Sequence, residues 1–147
     1  MQCLKLLFNA HLHSGVLNQQ QESLLHICCQ ENHPECLELI LGQERVNLDQ
    51  QDRERNTAVM VAVKEVAPEC LMALIDAKAN LDFQDRYGDT AAHWSVVRDQ
   101  PVCLRLLIEG GCRLHLKSKL GETAFDVARK RNVQGCLEVF RQLEMSL

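Results

Sequence analysis

Cysteine and histidine are the residues of this 147-residue chain whose types could do chemistry, and the chain has eight cysteines and six histidines. Their densest group comprises Cys28, Cys29, His33 and Cys36, and thiolate and imidazole are ligands that zinc prefers. The group contains no C-x-x-C pair, however, and no second pair follows it. The spacing therefore favours the alternative in which these cysteines fill small apolar positions of a core.

Catalytic motifs are missing from the sequence. It has no nucleophile elbow, no Walker loop and no G-x-G-x-x-G segment. The Gly110–Gly111 pair is better explained as the end of a helix than as a phosphate site. Cys112 lies in a predicted loop, where a reactive surface thiol is an alternative without further support. We therefore expect no enzyme activity, no cofactor and no metal.

Charge and hydropathy exclude several other classes of protein. Sixteen Lys and Arg against 20 Asp and Glu give a formal net charge of −4, without the basic excess typical of nucleic-acid binding. The apolar runs fall far short of the roughly 18 residues that span a bilayer. No export signal is recognisable at the N-terminus. We therefore expect reduced cysteines and an intracellular location, in the cytoplasm, the nucleus or both.

An internal repeat organises the whole chain. Thr57, Thr90 and Thr123 are spaced 33 residues apart, and Ser23 precedes Thr57 by 34. Thirteen residues after each of these four positions stands a Cys-Leu pair, and each of the three prolines lies two residues before such a cysteine. The agreement of several residue types at one period predicts stacked copies of one structural unit.

The unit itself predicts two helices and a turn. A Ser or Thr before an apolar run is a helix N-cap, and a proline suits the first turn of a second helix. The Cys-Leu pair then begins an apolar stripe at helical spacing. Asp85-Arg86-Tyr87-Gly88-Asp89 predicts the tight turn that leads to the next unit.

The segment Asp85-x-x-Gly88-x-Thr90-Ala-Ala-His93 resembles the ankyrin repeat. A second copy matches with Gly121 and Thr123, whereas Arg55 stands where the family has glycine. The resemblance implies an all-α ankyrin-repeat solenoid of helix-turn-helix units joined by β-turn loops. It divides the chain into the second half of a truncated repeat (1–17), three repeats (18–51, 52–84 and 85–117) and a C-terminal capping repeat (118–147).

The same resemblance implies structural roles for several residues. His26 and His93 occupy a family position whose imidazole hydrogen-bonds the backbone of a neighbouring repeat, while Met60 and Asp126 replace histidine in the other copies. Trp94 occupies a position that packs between helices. The N-cap and turn residues with structural roles are Thr57, Thr90, Thr123, Gly88 and Gly121.

Ankyrin repeats bind partner proteins with a concave groove made of turn tips and the ends of the first helices, and the resemblance implies such a groove here. Its candidate residues are Arg53, Glu54, Asn56, Lys64 and Glu65 in the second repeat; Arg86, Tyr87, Asp89, Val97 and Arg98 in the third; and Lys119, Leu120, Glu122, Lys130 and Arg131 in the fourth. Gln30 and Glu31 are the less certain positions of the first repeat. We expect a non-catalytic adaptor, scaffold or inhibitor whose partner presents an acidic or mixed segment; the alternative is that these are solvated charges alone.

Two other functions stay open. The repeats could form a targeting or regulatory array within a larger protein whose other domain carries the activity. They could also associate with a second copy through the apolar side chains of Leu4, Leu6, Leu7 and Phe8.

Tyr87, at a turn tip, either contacts a partner or lies flat on the neighbouring turn.

Overall fold

The computed structural model describes residues 17, 19–43 and 46–145. These residues form eight α-helices and no strand. The helices are α1 (Leu24–Gln30), α2 (Pro34–Leu41), α3 (Ala58–Lys64), α4 (Pro68–Asp76), α5 (Ala91–Val97), α6 (Pro101–Glu109), α7 (Ala124–Arg131) and α8 (Gln134–Met145).

The first helices of the repeats, α1, α3, α5 and α7, begin in the same way. Their N-cap residues have extended backbone, as a Ser or Thr before a helix requires. Thr90 Oγ1 accepts a hydrogen bond from the backbone N–H of His93 at 3.4 Å, and Thr123 Oγ1 accepts one from Asp126 at 3.2 Å. The local sequence therefore sets where each first helix starts.

A sharp bend connects each first helix to its second helix. The residue that makes it has positive φ in all four repeats, between 52° and 55°, at Asn32, Val66, Asp99 and Asn132. Three of the four second helices then begin with proline in the first turn, where the missing N–H breaks no helical bond.

The helices pack in two rows along the array. Each first helix contacts the first helix of the next repeat, and each second helix contacts the next second helix. The core lies between the rows and includes Leu37, Leu71 and Leu104, all with 0% exposure. Burying one such leucine stabilises the fold by about 1.5–3 kcal/mol.

The repeated cysteines belong to this core. Cys36, Cys70, Cys103 and Cys136 are all buried on the second helices. Cys70, Cys103 and Cys136 are free thiols. The half-buried Cys112 is also free, and burial raises its pKa to about 12, so it is a protonated thiol rather than a reactive thiolate.

Within the part of the chain that the structure describes, no group of three or more His, Cys, Asp or Glu side chains is arranged to hold a metal ion. No helix among these residues is long and apolar enough to cross a membrane. Residues 1–16 of the half repeat, which include its self-association residues Leu4, Leu6, Leu7 and Phe8, lie outside the described residues.

Candidate protein-binding surface

Three tight turns, one before each of α3, α5 and α7, stack in register. Within the third repeat's turn, Asp85 N donates to Asp89 O at 2.9 Å and Gly88 N donates to Asp85 O at 2.9 Å. The same two bonds recur in the second and fourth repeats. One backbone bond also joins successive turns, from Arg86 N to Glu54 O at 3.2 Å and from Lys119 N to Tyr87 O at 3.0 Å. Side chains at the turn tips are therefore held in rows along the array.

Asp85 organises the third turn from within. It is 2% exposed, and its Oδ1 accepts hydrogen bonds from Tyr87 N at 2.9 Å and Asp89 N at 3.0 Å. Its Oδ2 accepts the indole N–H of Trp94 at 2.8 Å. Trp94 packs against the core, as its position in the repeat predicts, and its half-buried ring directs the indole N–H to Asp85 at the base of the turn.

Glycine is required at the tip of the third turn. Gly88 has φ +77°, and a Cβ there would lie 2.8 Å from the backbone nitrogen of Lys119. Gly121 has nearly the same φ, +78°, but no atom lies within 4 Å of its position for a Cβ. Arg55 occupies the equivalent position with φ 65° and bears the strain that a side chain meets there.

His26 and His93 each join two repeats. His26 Nε2 lies 2.8 Å from Asn56 O, and His93 Nε2 lies 2.9 Å from Glu122 O. In both residues Nδ1 accepts the backbone N–H of the N-cap residue, so Nε2 carries the proton that the carbonyl accepts. Both ring nitrogens of each histidine thus have a hydrogen-bond partner.

Exposed side chains cover the turn tips. Arg86 pairs with Glu54 of the preceding turn at 2.9 Å, donates to the Tyr87 hydroxyl at 2.7 Å and lies 4.8 Å from that ring's centroid. Tyr87 therefore packs against Arg86 of its own turn and remains 49% exposed. Leu120, at the equivalent position of the next turn, is 82% exposed.

The C-terminal ends of the first helices lie beside the turns. Lys64 extends back along α3, where its ammonium donates to Asn56 Oδ1 at 2.7 Å and lies 4.0 Å from the Trp94 ring centroid and 3.9 Å from Asp85. Burial lowers the pKa of Lys64 below its ordinary value, although the carboxylate of Asp85 opposes this shift. Val97 is half-buried, whereas the remaining candidates on these ends, Glu65, Arg98, Lys130 and Arg131, are exposed.

Three candidate residues are committed within the fold rather than open to a partner. Asn56 is only 7% exposed, because the turn buries it between Asp52 and Lys64. The side chain of Lys64 is only 20% exposed, because its ammonium group contacts Asn56 and the Trp94 ring. Glu122 accepts a hydrogen bond from the ammonium group of Lys130 at 2.7 Å, and its side chain is 24% exposed. The surface that remains consists mainly of the turn tips and of the exposed helix ends.

The sequence did not predict the network that connects Asp85, Trp94 and Lys64, because the three residues were expected to have separate roles. One signal was present, however: the single tryptophan of the chain lies in the third repeat, nine residues after Asp85. An indole N–H half-buried beside a turn needs an acceptor, and the turn aspartate is the nearest one.

Comparison with protein-family models gives a match to ankyrin repeats (three copies), over residues 1–85 and 59–144. The chain therefore belongs to the ankyrin-repeat family, and its fold is an all-α ankyrin-repeat solenoid. Repeats of this family are generally protein-protein interaction modules. A comparison with curated proteins gives no match.

Proposed function

We propose that this chain is a non-catalytic adaptor, scaffold or inhibitor that binds a partner protein through the turn tips and the exposed ends of its first helices. The observation that carries the proposal is the row of side chains at the tips, which the backbone bonds between turns hold outward in register. Tyr87 and Leu120 present apolar surface there without a core to cover it. Rigid aromatic and aliphatic groups on a fixed backbone lose little entropy on binding.

The charges of this surface support a partner segment that contains acidic residues. Among the described residues, the exposed cations Arg53, Arg98, Lys119 and Arg131 have no ion pair. The chain as a whole has a net charge of −4, so this face is more basic than the rest of the molecule. Complementary charge speeds association and favours one class of partner over others.

A paired comparison of two variants tests the proposal. The tip variant replaces Arg53, Arg86, Tyr87 and Lys119 with alanine. The control variant replaces four exposed residues of the second helices with alanine: Glu35, Glu69, Met72 and Val102. All eight positions are exposed, so we expect both variants to keep their free energy of unfolding within about 1 kcal/mol of the wild type.

Each protein is used as bait for a cell lysate, and captured proteins are identified and re-expressed for affinity measurement. We expect a purified partner to bind the wild type and the control variant alike and to bind the tip variant at least about tenfold more weakly. We also expect that affinity to fall as salt is raised, because exposed charges are screened. Equal binding of that partner to all three proteins would refute the proposed surface.

A further inference from the structure

In three of the four repeats, the residue just before the N-cap of the first helix is hydrogen-bonded to the residue eight positions later. Gln30 donates to Glu22 in the first repeat. Lys64 donates to Asn56 at 2.7 Å in the second, and Lys130 donates to Glu122 at 2.7 Å in the fourth. We call this contact the turn–helix pair. It gives the polar side chain at the end of each turn a partner from its own repeat.

The third repeat lacks the turn–helix pair. Its two equivalent residues are Asp89 and Val97, and valine has no group that can donate a hydrogen bond. The backbone of Asp89 is fixed, because its N–H donates to Asp85 and its carbonyl accepts from Asp85. No described side chain donates to the Asp89 carboxylate or forms an ion pair with it.

Lys64 attracts the Asp89 carboxylate electrostatically, but the ammonium groups of Lys64 and Lys130 hydrogen-bond to other side chains. Lys64 of the preceding repeat is held by Asn56 and the Trp94 ring, and Lys130 of the following repeat is held by Glu122. Arg98 follows Val97 but makes no ion pair with Asp89.

The carboxylate of Asp89 is also incompletely hydrated. The residue is only partly exposed, and this burial raises the pKa of its carboxyl above the ordinary value. A carboxylate that is partly withdrawn from water and has no hydrogen-bonded cation gains more from an arriving cation than a fully hydrated one.

We propose that Asp89 and Val97 together form a recognition position for one lysine or arginine side chain of the partner protein; this rests on the proposed function above. The incoming cation takes the place that the Lys64 and Lys130 ammonium groups take in the neighbouring repeats. Its aliphatic stem lies on Val97, as long basic side chains do on apolar surface. The partner segment therefore combines acidic residues at the turn tips with one basic residue at Asp89.

Two substitutions remove this position in different ways. Val97→Lys supplies the missing turn–helix pair from within the chain, and Asp89→Asn removes the charge while copying the Asn56 of the second repeat. The matched control is Val102→Lys, which adds the same charge at a 60% exposed valine of α6. Urea unfolding checks that all three variants fold, and Val97→Lys is expected to be at least as stable as the wild type.

Random peptides displayed on phage serve as the probe. We expect those selected by the wild type to share one basic position, and selected sequences are then synthesised with acetylated N-termini, so that no terminal amine can act as the cation. Val97→Lys and Asp89→Asn should each raise the Kd of such a peptide about tenfold, with Val102→Lys within about twofold of the wild type. Replacing the basic residue of the peptide should weaken binding to the wild type but not to Asp89→Asn.

The tip variant separates this inference from the proposed function. If selected peptides lose affinity for the tip variant but not for Val97→Lys or Asp89→Asn, the Asp89 position is refuted and the proposed surface stands. If Val97→Lys weakens every peptide but the peptides share no basic position, steric obstruction by the new side chain explains the loss and the inference is again refuted. If the wild type selects no peptide that the tip variant loses, both proposals fail.

Discussion

His93→Met is the substitution that most directly tests how two repeats are joined. The second repeat already has Met60 at the equivalent position, 1% exposed, so methionine fits this site in the same fold. The substitution keeps a large side chain between α5 and its neighbours but removes both ring nitrogens. Any fall in the free energy of unfolding therefore reports the lost hydrogen bonds rather than lost packing.

The magnitude follows from the bonds. His93 is 1% exposed and makes three contacts: to Glu122 O at 2.9 Å, to Thr90 Oγ1 at 2.8 Å and to Thr90 N at 3.1 Å. Glu122 O keeps its bond from Ser118 N, but the buried N–H of Thr90 loses its acceptor, which costs about 1–3 kcal/mol. The substitution also removes the hydrogen bond from His93 to Glu122 O, which joins two repeats. We therefore expect the free energy of unfolding to fall by about 2–3 kcal/mol in total.

Urea unfolding followed by circular dichroism measures this difference at constant m-value. Met60→Leu is the control, because a volume-conserving change at the equivalent position costs less than about 1.5 kcal/mol. The reverse substitution, Met60→His, should place an imidazole near Asp89 O, which accepts one backbone bond from Asp85 and retains a second lone pair. A loss below about 0.5 kcal/mol for His93→Met would refute the reasoning, since the polar bonds would then contribute almost nothing.

Three further predictions concern single positions. Val66→Asn should raise the free energy of unfolding, measured with urea, by about 1 kcal/mol. Val66 has φ 55°, a conformation that strains a β-branched residue, and the equivalent residue of the first repeat is Asn32. No gain in stability would contradict this prediction. Gly88→Ala should cost about 2 kcal/mol more than Gly121→Ala, because only the first Cβ meets backbone at 2.8 Å; equal losses would show that φ alone matters. Hydrogen bonds from the N-cap residue lower the pKa of Asp126, so its stabilising charge is present above its unfolded pKa and lost as pH falls through the folded value. Asp126→Asn should therefore lower Tm near neutral pH and have no such effect in strong acid.

The architecture was predictable from the sequence because several residue types agree on one period. The N-cap Ser and Thr residues, the prolines and the Cys-Leu pairs each act within a few residues of their own position. The family resemblance then supplied the one contact between repeats that was anticipated, the bond from histidine to the next turn. Local signals and a repeat frame are enough to fix a solenoid, since each unit contacts only its neighbours.

The candidate surface was less predictable because exposure depends on contacts eight or more residues apart. Asn56 and Lys64 each look like polar groove residues in the sequence, yet they bond to one another and lose their surface. Trp94 looks apolar, yet its N–H turns it toward Asp85. The length of the lysine side chain and the direction of the indole N–H determine which of these residues remain exposed. Hydrophobic periodicity in the sequence predicts neither of them.

The unpaired state of Asp89 has a consequence for stability that can be measured without any partner. Burial raises its pKa in the folded state, with Asp85 and Glu122 adding to the shift and His93 and Lys64 opposing it. Folding therefore becomes less favourable as pH rises through the unfolded and then the folded pKa of this carboxyl. Below both values the protonated group has no such effect. Asp89→Asn should therefore raise Tm at neutral pH and leave it unchanged in strong acid, and Val97→Lys should raise it at neutral pH by supplying the cation. If neither variant exceeds the wild type, the carboxylate is already satisfied by water, and it offers a partner's cation no more than any exposed acidic residue does.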